Sequence, residues 1–410
     1  MATSALLTDQ GIEPSTSGIP ENKDQVSVEM LTTWLDLELL RASWNAILER
    51  NRKLTIFSTP EWLGSWWRAF GADKQLHTLA FRNNRGDLVC LLPLYLQRVR
   101  SKLFAPLWEL RFVGDGSTDS DNLDFVILPG YESAVVRSLL EHLLADPRWT
   151  ICRLNVMPCD SVMANALLQE IYLAGWKFKI SNVAWNAIEL PQTWEAYLKQ
   201  LSHNERAKVA SRHRRLEKRY QVRFHKCTTL TELPVCLESL FHLHQKRWQA
   251  RGKPGAFAST ARREFYYDMA QQFLSRGWLA LWVLELNGAV VAAQFTFRYH
   301  DTVYLLQEGF DPAYSANSVG HALRSYCLRE LIESGVRQYD FLAGRDKSKL
   351  RWRCTTGNYL NLHFARPASR GSVYLSLSHF TQTLKSWIRR LLPSPLVTFL
   401  SKLPRKPLPA

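Results

Sequence analysis

Between Trp278 and Trp352 the chain changes its hydrophobic period twice, and that order constrains the fold more than any other stretch. Gly277–Leu286, Ala289–Tyr299 and Thr302–Phe310 are β-rich runs, separated by the turn pairs Asn287-Gly288 and His300-Asp301. Two-residue turns between such runs predict an antiparallel meander. A polar, small-residue loop follows, Ser315-Ala-Asn317-Ser318-Val-Gly320. Val319, Leu323, Tyr326 and Leu331 then recur at roughly helical spacing, and Gly335 suits the position just past a helix end. Gln338–Ala343 reads as one more strand, closed by Gly344 before a charged run that ends in Arg351-Trp352.

A chain of 410 residues with 46% apolar and 12% aromatic side chains can bury a core, in two or three domains. No uninterrupted apolar run is long enough to cross a bilayer, and the start lacks the basic-then-apolar order of a secretory signal. The seven cysteines are scattered, with no Cys-x-x-Cys pair, which fits a reducing, cytoplasmic setting. His242 and His244 stand two apart, on different faces of a helix, so no metal site is expected. Asp115, Asp119, Asp121 and Asp124 resemble a cation loop in composition only. P-loop, Rossmann and Gly-x-Ser-x-Gly fingerprints are missing. The net charge of +15 favours a polyanionic partner but does not choose between nucleic acid, an acidic membrane face and a phosphorylated cofactor.

In chain order, residues 1–28 read as a disordered tail and a helix is expected from Val28 towards Leu48. Ser58 or Thr59 caps an aromatic helix that opens at Pro60. Leu76–Arg82 and Leu88–Leu96 form a pair of strands, Leu123–Leu128 another strand, 131–145 a helix, Thr150–Val156 a strand, and Trp176–Ile180 a strand. This half weakly echoes residues 278–343, suggesting two related α/β units. Residues 230–275 are helical, broken at Arg251–Gly255, and Tyr359–Phe364 reads as an edge strand. The tail at 367–410 ends in Lys385–Leu392 and a proline-punctuated basic stretch, a candidate membrane-surface anchor.

Between the halves, Ser202 and Glu205 form a capping-box signal for a helix over 202–220. Val209, Leu216 and Tyr220 make its narrow buried stripe, and the rest is largely cationic. Arg206 and Arg212 are candidates for binding an anion, because the planar guanidinium can bond two oxygens at once.

The order of elements from 278, with Asp340-Phe-Leu-Ala-Gly344 followed by Asp346, Lys349 and Trp352, resembles the GNAT N-acetyltransferase superfamily. It is similar, more narrowly, to the CelD/BcsL-type acetyltransferases of exopolysaccharide synthesis and, more distantly, to Fem-type aminoacyl transferases. The resemblance covers most of residues 54–365 and implies an α/β (α+β) fold of tandem GNAT-like domains, each a mostly antiparallel twisted sheet flanked by helices. The expected divisions are 29–185 for the N-terminal unit and 186–366 for the acetyltransferase unit. It implies acetyl-CoA or another acyl-CoA as co-substrate, with Ser315, Asn317, Ser318 and Gly320 around the cofactor phosphates. Gln307, Gly309 and Phe310 would hold the pantetheine arm through strand backbone. Ser315 and Ser318 depart from the superfamily's usual Gln/Arg and Gly, and Ser348 stands where the family has Tyr.

Glu308 is a candidate general base if burial raises its pKa, with Asp340 on the neighbouring strand. Asp346, Lys349 and Trp352, together with Arg206 and Arg212, are candidates for the acceptor. The resemblance implies an N- or O-acetyltransferase acting on a small-molecule acceptor or a sugar or exopolysaccharide precursor. Two alternatives stay open: a Fem-type enzyme drawing on charged tRNA, and a non-catalytic anion-binding protein of the same fold.

Overall fold

In the computed structural model, residues 23, 25–100, 106–344 and 349–377 are described. The expected N-terminal tail falls largely outside them, as do Asp346 and the basic stretch from Lys385 onward.

The first element corrects the sequence reading. Ser27–Leu31 is a strand, β1, not the start of a helix. It adds antiparallel to a strand further on, with Ser27 opposite Arg82. The helix begins only after Thr33, whose side chain accepts from the Asp36 amide while Asp36 reaches back. That reciprocal cap fixes the boundary. Helices α1 (Trp34–Leu39), α2 (Arg41–Arg50) and α3 (Pro60–Phe70) follow, the last capped by Thr59 with Pro60 in its first turn.

The next hairpin divides between two sheets. Strands β2 (Gln75–Leu76) and β3 (Thr78–Arg82) meet at His77, and β4 (Leu88–Leu92) and β5 (Leu94–Val99) meet at Pro93. β1, β3, β4 and β7 (Val126–Ile127) form a four-stranded sheet, whereas β2 and β5 join a larger one. Proline cannot donate to a ladder, so one continuous strand through Pro93 is not available.

The larger sheet has eleven strands in the described residues. Its N-terminal half holds β5, β6 (Leu107–Phe112) and β8 (Ile151–Pro158), with α4 (Glu132–Ala145) between β6 and β8 and α5 (Val162–Leu173) after β8. β9 (Lys177–Glu189) crosses to the other half, followed by α6 (Trp194–Gln200), α7 (His203–Arg219) and β10 (Val222–Lys226). Then come α8 (Leu233–Gln249), α9 (Thr260–Ser275) and the meander β11 (Leu279–Leu286), β12 (Ala289–Tyr299) and β13 (Thr302–Phe310). Helix α10 (Val319–Glu333), β14 (Gln338–Ala343) and β15 (Thr355–Ala365) follow. The Asn287-Gly288 turn has positive φ at both residues, 53° and 80°, as a two-residue hairpin requires.

The last strand of each half is exchanged. β9 leaves the N-terminal half to pair with β14, and β15 leaves the C-terminal half to pair with β8, while β9 and β15 pair with each other. β15 is therefore interior, and the expectation of an edge strand at Tyr359–Phe364 is corrected. Its flanking partners come from the far half of the chain, which local pattern cannot reveal.

The sheet of the C-terminal half feeds two cores. Leu281, Val283, Phe295 and Phe297 pack on one face, and Ala280, Trp282, Leu284 and Val303 on the other, with α10, as alternation along a strand dictates. Trp62 of α3 sits among Phe265, Phe273 and Phe297, and its indole N–H donates to Ser120 at 2.9 Å. A fully buried side chain of this size contributes roughly 1.5–3 kcal/mol, so the two halves are fastened by core as well as by strand exchange.

Candidate active site

β13 and β14 run parallel but pair over three positions only: Thr302 with Gln338, Val303 with Tyr339 and Tyr304 with Asp340. Beyond Tyr304, β13 pairs with β12 alone, with an irregularity between Phe295 and Thr296 that leaves Leu306 unopposed. The two strands thus splay apart and expose one edge of β13. The same arrangement recurs in the N-terminal half, where β6 and β8 run parallel over Glu109–Ile151, Leu110–Cys152 and Arg111–Arg153.

Helix α10 opens into the splay. Its N-cap, Ser318, is left-handed (φ 55°, ψ 40°) and makes no side-chain cap. The His321 and Ala322 amides both turn back to the Ser318 carbonyl, at 3.0 and 3.1 Å. The amides of Val319 and Gly320 have no acceptor among the described residues. Two free donors at the positive end of a 15-residue helix favour an anion.

A cleft of about 460 Å³ lies at this point, walled by Glu308, Phe310, Ser315, Ser318, Gly320 and Arg324, with Arg247 and Arg251 of α8 and its following loop closing one side. Arg324 is one helical turn beyond Gly320 and is buried. Its guanidinium bonds the Glu308 carboxylate, and Arg247 reaches the other oxygen at 3.4 Å. Gln294 donates to Glu308 at 3.3 Å and accepts from the Tyr339 hydroxyl at 3.4 Å. Burial alone would raise the pKa of Glu308, but Arg324 and then Arg247 outweigh it and hold the carboxyl below its ordinary value. The sequence expectation of a burial-raised base at Glu308 is therefore corrected. Two guanidiniums reverse the sign.

His321 stacks on Trp352 with ring centroids 5.8 Å apart, and Arg324 lies over the same indole. Burial, with Arg212 and Arg324 nearby, lowers the His321 pKa to about 4, so the ring is neutral at pH 7. Arg212 is buried on α7, and its Nη1 has no partner among the described residues. Among the described residues lining the cleft, Arg247, Arg251 and Arg324 outnumber the one carboxylate, Glu308.

Asp340 occupies the vertex of the splay, not the cleft wall. It is buried, its Oδ1 accepts from the Leu342 amide at 2.7 Å, and Leu342 has a positive φ of 60°. Asp121, from the loop of the N-terminal half, lies beside it and accepts from the Ala343 amide at 2.8 Å. Burial first, and the Asp121 charge after it, raise the Asp340 pKa to about 7. Asp121 is itself raised to about 6, chiefly by burial. Two buried acids titrating near neutrality mark a place where a proton can be held or released.

Of the other expected residues, Phe310, Ser315, Ser318 and Gly320 line the cleft, and Asn317 sits in the short helical turn leading into it. Gln307 and Gly309 do not line it. Gln307 bonds Tyr266 of α9, and a Cβ on Gly309 would come 2.5 Å from the His244 amide nitrogen of α8. Gly309 is glycine because α8 packs on it, and any cofactor role for this pair falls to backbone atoms. Arg206 is exposed and spends its guanidinium on the carbonyls of Lys199 and Leu201. Lys349 donates to the Phe341 carbonyl at 3.0 Å, and Trp352 is a buried wall behind Arg324.

Arg247, Gln294, His321 and Arg324 were not singled out in the sequence. Arg324 carried a usable signal, a lone cation at i+4 from Gly320 inside an apolar helical stripe. The acidic loop is not a cation site: Asp119 pairs with Arg262, Asp115 with Arg111, and Asp121 with a backbone amide.

Residues 203–350 match the family model described as an acetyltransferase (GNAT) domain. No curated protein matches the chain in sequence. Among solved structures it is similar to FemX, at 11% identity over 82% of this chain and 96% of that one, with a TM-score of 0.55. It is also similar to a conserved protein of unknown function from Bacteroides thetaiotaomicron, at 14% identity over 83% and 100%, with a TM-score of 0.51. L-PGS from Bacillus licheniformis aligns at 13% identity over 82% and 95%, with a TM-score of 0.49.

Proposed function

We propose that this chain, whose residues 203–350 match a GNAT acetyltransferase domain, is an acyltransferase whose splayed β13–β14 cleft binds an acyl-CoA and passes the acyl group to a small-molecule or sugar amine or hydroxyl. The observation that carries this reading is the pair of free amides at Val319 and Gly320, facing a cleft lined by three arginines. Backbone donors and surplus cations fit a pyrophosphate, and the unpaired edge of β13 from Leu305 to Phe310 fits an extended amide-bearing arm.

Transfer from a thioester to an amine forms a C–N bond, breaks a C–S bond, and moves one proton from the amine to the leaving thiolate. In this reading Asp340, its pKa raised to about 7 by burial and then by the Asp121 charge, takes the proton. Glu308 holds Arg324 and Arg247 in place. In this reading it is a positioning residue. The protein acts in the cytoplasm, where acyl-CoA is found.

A second reading takes the acyl group from charged tRNA. The likeness to FemX over nearly its whole length and the exposed cations of α7 favour it. Calorimetry separates the two. Acetyl-CoA binding in the micromolar range, abolished in Gly320→Asp, supports the acyl-CoA reading. Absence of acetyl-CoA binding, with tRNA bound in a steeply salt-dependent way, overturns it in favour of the second.

A further inference from the structure

Far from the cleft, three side chains converge at the point where the β2–β3 chain passes from one sheet to the other. His77 occupies that crossing; its amide donates to the Leu94 carbonyl at 2.8 Å, and its ring is only 1% exposed. His142 and Asp146 stand four apart at the C-terminal end of α4, which puts them on one face of the helix. The two imidazoles meet with centroids 6.2 Å apart. His77 Nε2 lies 3.4 Å from Asp146 Oδ2, and one ligand atom from each residue falls within 4.8 Å of the other two.

The polar accounting of this cluster does not close. Nε2 of His77 and Nε2 of His142 are both shielded from solvent, and neither has a hydrogen-bond partner among the described residues. Buried polar atoms are seldom left this way, and here two such nitrogens face one carboxylate. If His77 carried its proton on Nε2 and gave it to Asp146, His142 Nε2 would still be orphaned. A single cation among the three would satisfy both nitrogens.

We propose that His77, His142 and Asp146 bind one divalent transition-metal ion, with zinc the best fit. Two imidazole nitrogens and one carboxylate oxygen suit zinc and exclude the all-oxygen preferences of calcium and magnesium. Tetrahedral zinc with bonds of about 2.0–2.1 Å sets its ligand atoms roughly 3.3 Å apart. The His77–Asp146 separation already has that value, and the wider separations close if the half-exposed His142 ring swings inward. Arg148 fixes the carboxylate from behind, through Nε to Oδ1 and Nη2 to Oδ2, both at 2.8 Å. Hydrogen bonding of that kind orients ligating carboxylates in metal sites. With three protein ligands, a fourth position stays open for water on the His142 side. The ion acts as a clip, joining the end of α4 to the junction of the two sheets.

The test uses the full-length protein, stripped with a chelator and then titrated with Zn²⁺ against a chromophoric competitor. One equivalent of tightly held zinc is expected, with a higher melting temperature. His142→Gln, a change at the half-exposed ligand that leaves the fold intact, should weaken uptake by about tenfold or more and remove the thermal shift. His77→Asn should do the same. Cys227→Ser/Cys236→Ser, at the neighbouring pair of buried thiols in α8 and its approach, should leave uptake unchanged. No stoichiometric uptake by the unmodified protein overturns the proposal. So does uptake that survives His142→Gln or disappears with the cysteines.

Discussion

Arg324 of α10 closes on Glu308 of β13 from across the splay, so the one carboxylate on the cleft wall is already engaged before any ligand arrives. Removing one partner of a buried pair leaves the other charge uncompensated. Arg324→Met should lower stability by about 1–3 kcal/mol, less than for an isolated pair because Arg247 and Gln294 remain on Glu308. Urea unfolding reads that difference. Glu308→Gln should loosen both arginines and weaken acetyl-CoA binding severalfold while leaving the pH dependence of turnover in place. A Glu308→Gln enzyme that loses its acidic limb would return the general-base role to Glu308.

Asp340 makes the opposite case. Its folded pKa, raised to about 7, lies above the ordinary carboxyl value of 3.8. As a base it must be ionised, so turnover with acetyl-CoA and an amino-sugar acceptor should rise with pH through about 7. Asp340→Asn should lower kcat by roughly 10²–10⁴-fold and flatten that limb. Stability carries the linked sign. Between pH 3.8 and about 7 the folded protein holds a proton that the unfolded chain has released, so stability falls as pH rises through this window. Asp340→Asn should therefore gain on the unmodified protein from pH 4 to pH 8. Thermal melts across that range decide it.

Gly309 and Gly320, eleven positions apart by number, answer to different constraints. A methyl group on Gly309 would meet the backbone of α8 at 2.5 Å, and backbone cannot step aside without moving the helix. Gly309→Ala should destabilise by about 1–3 kcal/mol or more. The same change at Gly320 brings Cβ to 3.4 Å from the Phe310 ring, an ordinary contact, and should leave stability nearly unchanged. Gly320→Ala and Gly320→Asp thus separate crowding from charge at the phosphate end. Only the second should abolish acetyl-CoA binding while both fold normally by circular dichroism.

The meander, α10 and β14 were legible because each announces its own period and its own stop. Asn287-Gly288 supplies two positive φ angles, and Gly335 supplies another at the end of α10. What was hidden depends on partners remote in sequence. Ser27–Leu31 is short enough to be read either way, and only the open edge of β3 makes it a strand. Tyr359–Phe364 looked like an edge because β8 and β9 lie in the other half. The echo between halves was visible as element order, but its sharpest sign is conformational. Val156 of β8 and Leu342 of β14 both take positive φ, 51° and 60°, just past the three-position parallel ladders. Non-glycine residues seldom adopt that conformation, and no composition signal announces it. The site was half legible: α10's mouth stood out as a small-residue loop, whereas Arg324 was masked by the apolar stripe around it.

Asp119 ties the two halves together beside the proposed chemistry. Its oxygens accept from Arg262 Nε at 3.0 Å and from the Tyr266 hydroxyl at 3.2 Å, both on α9, and it is buried. Two positions on, the same loop presents Asp121 to Asp340. Asp119→Ala would remove the carboxylate that Arg262 and Tyr266 share, at a cost of about 1–3 kcal/mol, since Arg262 keeps the Ser117 carbonyl and the Thr118 hydroxyl. The loop would then no longer hold Asp121 against the vertex. The proposed donor cleft is built from β13, α8 and α10, whereas Asp119's own partners, Arg262 and Tyr266, lie on α9. Asp119→Ala should therefore lower kcat by tenfold or more and move the acidic limb of the pH profile downward, as Asp340 loses its charged neighbour. The Kd for acetyl-CoA should change little. Equal losses in donor binding and turnover would instead mean that the halves collapse together, and that Asp121 has no separate part in setting the proton affinity of Asp340.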